Sequence, residues 1–282
     1  MKDFNHFDSD QIPDAVKAKY SRLESILAEM KKVVVAYSGG VDSSFLLKAA
    51  HDVLGSDVLA VMLSSEVISA RELKDAEELA EDMGISMTVL QHKALNNPKF
   101  VKNTPLRCYY CKKDIFTEIK KFALKQEIFH VVDGSNYEDA EDYRPGAKAL
   151  KELGIRSPLE EAGFLKKEIR LLSREMGLPT WNKPAMACLA SRFPYHTEID
   201  EKSLKKVACA EEYLRDLGFT QVRVRHHGSV ARIEILEEQF DLIITDESRG
   251  KIVEFVKKLG YSYVTLDLQG YRMGSLNEEI KI

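Results

Sequence analysis

Between residues 12 and 32 the apolar positions Ile12, Val16, Tyr20, Leu23, Ile26 and Leu27 recur at helical spacing, which predicts a leading amphipathic helix. Lys32–Tyr37 is then a short unbroken apolar run, the pattern of a strand covered on both faces. A glycine-rich turn at 38–40 and a helix from Val41 to about Leu54 come next. The alternation continues with a strand at Val58–Leu63, a helix at Ala70–Met83, a strand at Ser86–Leu90, a helix near Asp114–Gln126 and a strand at Phe129–Val132. Strand and helix alternating at this pitch predict an α/β fold, a parallel sheet flanked by helices.

The segment Asn136–Leu159 is rich in acidic residues, Gly and Pro, and reads as a functional loop around a short helix. Lys166–Met176 is helical and is stopped by Gly177 and Pro179. Asn182–Tyr195 has two prolines and little periodicity, so it reads as a loop, with the domain boundary near 196–200. Residues 1–197 then form the first domain and 198–282 a smaller C-terminal one. In that tail the pattern changes: a helix at Ser203–Leu217, strands at Gln221–His227 and Ala231–Leu236, a helix at Lys251–Leu259 and a strand at Tyr263–Leu268. This order suggests a small α+β domain of ferredoxin-like kind. The chain carries neither internal repeats nor a low-complexity tract.

Composition narrows the class. A chain of 282 residues, 44% hydrophobic and 30% charged, is an ordinary soluble globular protein. Its net charge of -4 argues against a general nucleic-acid or membrane binder, which needs a basic surface. The N-terminal MKDFNHFDSD has no apolar core, so it is not a signal peptide, and no apolar run approaches the roughly 20 residues of a membrane span. The expected compartment is the cytoplasm, where thiols stay reduced. The four cysteines are therefore read first as ligands or reactive groups.

The strongest chemical signal is Ser38-Gly39-Gly40-Val41-Asp42-Ser43-Ser44, set between a buried strand and a helix. Glycines allow the tight turn and close backbone approach, the first helical N–H groups have no intrahelical partner, and the helix dipole favours an anion there. With the hydroxyls of Ser38, Ser43 and Ser44 these groups form a cradle suited to phosphate or pyrophosphate. The loop is not a Walker A motif, because the lysine that grips terminal phosphates is missing, and cleavage between the α- and β-phosphates is the more natural chemistry. Asp42 is placed to hold Mg²⁺. The bland alternative is a Ser/Gly-rich connection in which Asp42 caps a helix. The motif resembles the S-G-G-x-D-S signature of the PP-loop adenine-nucleotide α-hydrolases. That resemblance implies a HUP/Rossmann-like fold, ATP as cosubstrate, and activation of an oxygen as its adenylate with release of pyrophosphate.

Arg107-Cys108-Tyr109-Tyr110-Cys111-Lys112 is a C-x-x-C, and Cys188 lies in Pro184-Ala-Met-Ala-Cys-Leu-Ala-Ser-Arg192. Three thiolates suit an iron–sulfur cluster with one open position, whereas a closed zinc site wants four ligands. Arg107, Lys112 and Lys113 would favour thiolate. A redox pair at 108/111, a structural zinc site and unligated thiols stay open as alternatives. Cys209 reads as a small core residue of an amphipathic helix. The loop from Asp133-Gly134 to Gly146 follows a strand end, where open α/β sheets bind ligands. Its carboxylates either hold Mg²⁺, order Arg144, or are simply solvated.

Asp133-Gly134, Asp142-Tyr-Arg-Pro-Gly146, Trp181-Asn-Lys183, Ser191-Arg-Phe-Pro-Tyr195, Val222-Arg-Val-Arg225, Ala231-Arg-Ile-Glu234 and Tyr263-Val-Thr-Leu-Asp-Leu268 together resemble the LarE family of ATP-dependent sulfur transferases in nickel-pincer nucleotide biosynthesis. The likeness covers nearly the whole chain. It implies adenylation of a carboxylate of pyridinium-3,5-biscarboxylic acid mononucleotide and its conversion to a thiocarboxylate. One branch of that family donates the sulfur of its own cysteine, here Cys188. Another binds a 4Fe–4S cluster through three cysteines, and Cys108, Cys111 and Cys188 match that pattern. The resemblance also implies ATP contacts from Ser38, Gly39, Gly40, Asp42, Ser43, Ser44 and Gly134, and a small-molecule nucleotide as partner of a homo-oligomer.

In Val222-Arg-Val-Arg-His-His-Gly228 a period of two puts Arg223, Arg225 and His227 on one strand face. Planar guanidinium groups suit bidentate phosphate binding. By resemblance, Arg223, Arg225 and Arg272 would hold the substrate phosphate with Ser191 and Arg192 nearby, supported by Glu211 and Asp241. The alternative is a solvated basic strand face.

Overall fold

The computed structural model describes residues 12–140, 145–184, 187–272 and 274–275. Asp142, Tyr143 and Arg144 of the acidic loop lie outside the described residues. In chain order the elements are α1 (Asp14–Met30), β1 (Val33–Ala36), α2 (Val41–Leu54), β2 (Val58–Ser64), α3 (Ala70–Asp82), β3 (Met87–Gln91), α4 (Pro98–Val101), α5 (Arg107–Lys125), β4 (His130–Val132), α6 (Pro145–Leu153), α7 (Pro158–Glu161), α8 (Lys166–Glu175), α9 (Glu201–Asp216), β5 (Val222–His227), β6 (Val230–Ile235), α10 (Phe240–Ile244), α11 (Asp246–Lys258) and β7 (Tyr263–Leu266). No helix among the described residues is long and apolar enough to cross a membrane.

These elements fall into two compact units. The first comprises Met1–Ser65, Ala70–His92 and Cys108–Met186, the second Glu66–Ser69, Lys93–Arg107 and Ala187–Ile282. The division at Ala187 precedes the expected one at 197/198 because the intervening residues are tied to the second unit's own chain. Leu189, Ala190 and Phe193 are buried. The Leu189 N–H donates to the Val67 carbonyl at 2.9 Å, and the Asn103 carboxamide donates to the Pro194 carbonyl at 2.8 Å.

In the first unit the sheet order is β3-β2-β1-β4, all parallel, with Val33 beside both Val58 and His130. Val33, Val34 and Val35 are fully buried, as expected of a strand covered on both faces. On one side Val34, Val61 and Val131 pack with Phe116, Ile119 and Ala123. The chain runs from β1 outward through β2 to β3 and then returns to place β4 on the other flank of β1. The C-terminal ends of β1 and β4 therefore flank a topological switch point, where open α/β sheets bind ligands.

Helix α5 begins seven residues earlier than the apolar periodicity suggested. Its first turn is Arg107-Cys-Tyr-Tyr-Cys, which has no apolar stripe to announce it, yet the Arg107 N–H bonds the Thr104 carbonyl at 2.8 Å and starts the helix there. Cys108 and Cys111 are thereby three apart on one helical face.

In the second unit β5 pairs antiparallel with β6, and β6 parallel with β7, in the order β5-β6-β7. A ferredoxin-like arrangement would separate β6 from the last strand, so that expectation is corrected: α10 and α11 form a crossover that returns the chain parallel and adjacent to β6. Leu214, Val222, Val224, Ile233, Ile252 and Val256 form this unit's core. Cys209, expected in that core, is exposed. The buried stripe of α9 is Leu204, Val207, Ala210, Glu211 and Leu214, and position 209 falls off it.

Candidate functional site

The turn between β1 and α2 is closed by its own serines. The Ser38 N–H donates to Ser43 Oγ at 3.2 Å, the two hydroxyls lie 3.0 Å apart, and Ser43 Oγ donates to the Gly40 carbonyl at 3.3 Å. Gly39 has φ +66°, and a Cβ there would stand 2.8 Å from Ala76 Cβ, so α3 leaves no room for a side chain. Gly40 is the N-cap of α2 and brings no capping side chain to the first helical N–H groups. Those donors, with the dipole of α2 behind them, have the local geometry that an anion cradle requires. Ser38 is exposed at its mouth, whereas Ser44 is fully buried. Ser44 is the fourth residue of α2, and its buried hydroxyl has no hydrogen-bond partner among the described residues.

Asp42 sits in the first turn of α2, paired through Oδ2 with the Lys166 ammonium. Its Oδ1 is buried and makes no hydrogen bond. Burial raises the Asp42 pKa, and the Lys166 charge only partly offsets this. A carboxylate with one oxygen uncommitted at the head of an anion cradle has the chemistry of a Mg²⁺ ligand.

Two lysines that no spacing pattern announced stand at this loop. Lys166 reaches Asp42 from the start of α8, 124 residues away, and the Lys183 ammonium donates to the Gly39 carbonyl at 3.0 Å from 144 residues away. Arg170 fixes the second of these by donating to the carbonyls of Trp181 and Lys183 at 2.8 and 2.9 Å.

Gly134, just past the end of β4, approaches the same turn. A Cβ built on it would lie 2.9 Å from the Ser43 backbone nitrogen and 3.1 Å from Ser43 Cα. Asp133 beside it is buried, accepts from the hydroxyls of Ser135 and Ser157 at 2.6 Å each, and lies 3.8 Å from the Lys112 ammonium. These contacts set the edge of the crevice at the switch point.

Cys108 is exposed, Cys111 half-buried, and neither forms a disulfide. The cations expected to activate them are occupied elsewhere: Lys112 with Asp133, and Lys113 with the Tyr109 hydroxyl and Glu152 at 2.9 Å each. Arg107 is buried against Asn103 and donates to the Ala190 carbonyl at 2.9 Å. Among the described residues no group of three His, Cys, Asp or Glu side chains is arranged to hold a metal ion.

In the second unit Cys188 precedes a 3-10 turn at Leu189–Arg192. Its carbonyl accepts from the Ser191 N–H at 2.9 Å, Ser191 Oγ at 2.8 Å and Arg192 Nη1 at 3.1 Å. Arg192, expected near a substrate phosphate, is buried and held on several sides. It forms a bidentate pair with Glu211 at 2.8 and 3.0 Å, and Nη1 also donates to the Ala187 carbonyl. Arg225 is likewise engaged, bidentate with Glu234 at 2.9 and 2.8 Å and donating to the Ser191 carbonyl at 2.8 Å. Glu234 was not anticipated in this role. Asp241, expected to support the arginines, is exposed on the short α10.

Arg223 is buried too, and its Nη1 donates to the Val222 carbonyl at 2.8 Å. Burial and then the neighbouring Arg192 charge lower its pKa to about 10, and Glu211, which pairs with Arg192 and Arg215, opposes that shift. Its guanidinium lies 5.2 Å from the Tyr271 ring. Arg272 is exposed. The basic strand is thus neither solvated nor one-sided: Val222 to His226 are all buried.

Residues 16–100, which span β1, the serine-closed turn and α2, match the family model described as NAD synthase. Over its length the chain is 40% identical to the pyridinium-3,5-bisthiocarboxylic acid mononucleotide synthase of Lactiplantibacillus plantarum, covering 93% of this chain and 95% of that protein. The chain belongs to the LarE family. It is an ATP-dependent enzyme of the PP-loop class, built as the parallel sheet flanked by helices predicts. Two uncharacterized proteins are similar over comparable lengths. One is slr1717 of Synechocystis sp., 43% identical over 93% of this chain and 98% of its own; the other is MJ0830 of Methanocaldococcus jannaschii, 33% identical over 86% and 91%. The first unit thus carries the serine-closed turn, Asp42 and two lysines, and the second a buried arginine cluster.

Proposed function

We propose that this protein adenylates a carboxylate of pyridinium-3,5-biscarboxylic acid mononucleotide with ATP and converts it to a thiocarboxylate. The observation that carries the reading is the serine-closed glycine turn at the sheet's switch point, in a chain similar over 93% of its length to a synthase of that product class. The turn at 38–43 would hold the β- and γ-phosphates, and Asp42 would hold Mg²⁺ on them through its uncommitted oxygen. The substrate carboxylate oxygen attacks the α-phosphorus, pyrophosphate leaves, and an acyl adenylate forms. Sulfur then attacks the acyl carbon and AMP leaves. Arg223, in its positive surroundings, with the exposed Arg272, would hold the mononucleotide phosphate.

For the sulfur source we favour a 4Fe–4S cluster on Cys108, Cys111 and Cys188, which supports the reading by donor chemistry: none of the three is in a disulfide, and two share a helical face. A bound cluster would supply an extra sulfide for transfer. The clamped backbone of Cys188 favours a second reading, in which its own thiol attacks and its sulfur is surrendered. We read residues 198–282 as the part that binds substrate and joins copies of the chain into a homo-oligomer in the cytoplasm.

The test is anaerobic purification of wild type and Cys108→Ala with iron, zinc and acid-labile sulfide analysis, then turnover with ATP, magnesium and the pyridinium mononucleotide. AMP, pyrophosphate and thiocarboxylate are expected together, with iron and sulfide lost in the variant. Zinc without sulfide would end the cluster reading, and a mass loss of H₂S at Cys188 after turnover would establish the second. Absence of pyrophosphate release with this substrate would end both.

A further inference from the structure

The loop at 38–44 has no lysine, yet a polyphosphate needs cations. We propose that Lys166 and Lys183 are those cations, and that Lys166 works by exchange, occupying Asp42 until a divalent ion takes the carboxylate and frees the ammonium for the polyphosphate. The proposal rests on the nucleotide reading of the turn.

Both ammonium groups already touch the turn. Lys166 pairs with Oδ2 of Asp42, and Lys183 donates to the carbonyl of Gly39, the residue at the apex of the turn. Both are only partly exposed, at 34% and 20%, so neither is a waving surface side chain. Helix α8 delivers the pair. Its start is fixed by Glu168, which accepts from the Leu165 N–H at 2.8 Å and from Lys19 at 2.7 Å. Two turns of the same short helix carry Arg170, which holds the carbonyls on either side of Asn182 and so aims Lys183.

The exchange follows from the state of Asp42. One oxygen carries Lys166 and the other is buried without a partner. A divalent ion bridging this carboxylate and a polyphosphate brings two charges where the lysine brings one, and displaces it. The released ammonium stays beside the N-terminus of α2, where phosphate oxygens gather, and forms a charge-assisted bond there. Pairing with Lys166 leaves the other oxygen of this buried carboxylate without a partner, so the pair alone does not satisfy Asp42. The lysine's placement is better accounted for by the ligand than by the fold.

The test uses the full-length protein and two probes: inorganic pyrophosphate with magnesium by calorimetry, and Mn²⁺ alone by electron paramagnetic resonance. Lys166→Gln is expected to weaken pyrophosphate binding about ten-fold or more. It should leave Mn²⁺ binding equal or tighter, since nothing then competes for Asp42. Lys183→Gln should weaken pyrophosphate alone, and Lys166→Arg should restore it. Thermal melts of each variant should match wild type within a few degrees. Unchanged pyrophosphate affinity in Lys166→Gln overturns the proposal, as does a parallel fall in Mn²⁺ affinity, the mark of a scaffold residue. Wild type that binds neither magnesium pyrophosphate nor ATP would overturn the nucleotide reading itself.

Discussion

Replacing Gly134 by alanine adds one methyl group at the closest approach between the end of β4 and the nucleotide turn. That methyl would stand 2.9 Å from the Ser43 nitrogen, 3.1 Å from Ser43 Cα and 3.2 Å from the Asp42 carbonyl carbon. Favourable carbon contacts begin near about 3.5 Å, so the closest contact is too short by roughly half an ångström. All three atoms are backbone in the first turn of α2, which cannot swing aside as a side chain would. Overpacking of this kind costs about 1–3 kcal/mol. For a chain of this size that lowers Tm by roughly 2–12 °C. The same methyl covers the Ser43 N–H, one of the donors aimed at polyphosphate, so the affinity for magnesium ATP should fall about ten-fold or more. Circular-dichroism melts and calorimetric ATP titration measure the two effects. A Gly134→Ala protein with wild-type Tm and wild-type ATP affinity would refute the idea that β4 and the turn close one crevice.

Glu211→Gln removes the carboxylate shared by Arg192 and Arg215 and deprives Arg223 of its compensating charge, and should destabilise the second unit by about 3–5 kcal/mol, read as a lower urea midpoint. Burial pushes the Glu211 carboxyl up, but Arg192, then Arg215 and Arg223, more than offset this and hold it below the usual carboxylate range. Its stabilisation is therefore complete above the unfolded-state pKa and is lost as pH falls through the lower folded value. Urea midpoints followed from pH 7 downward should fall steeply below about pH 4 in wild type, and Glu211→Gln should show a shallower acid limb. Equal limbs would show that this carboxylate does not govern acid stability.

The features legible in the sequence were those whose cause is local. The apolar run before Ser38 and the glycines after it mark a strand, a turn and a helix, and α2 occupies the very span expected for it, Val41–Leu54. What escaped depends on contacts distant in the chain. Lys166 and Lys183 gain their meaning only when α8 folds against the turn, and nothing in their neighbours' spacing says so. The arginines of β5 were recognised as a cluster, but residue type does not reveal direction. Arg192 and Arg225 turn inward to Glu211 and Glu234, because a guanidinium with a buried carboxylate in reach satisfies its donors there. Cys209 shows the converse error, in which an amphipathic helix was seen but its buried stripe was placed one position off.

The loop around Cys188 is held by the main-chain oxygens of residues 187 and 188, gripped by Ser191 and Arg192, and the half-buried thiol is in no disulfide. Such an arrangement separates a socket from what is plugged into it. The loop keeps its shape whichever side chain occupies the position, and whatever becomes of the sulfur there. Chemistry at that residue can thus be spent, lost or regained without cost to the scaffold around it.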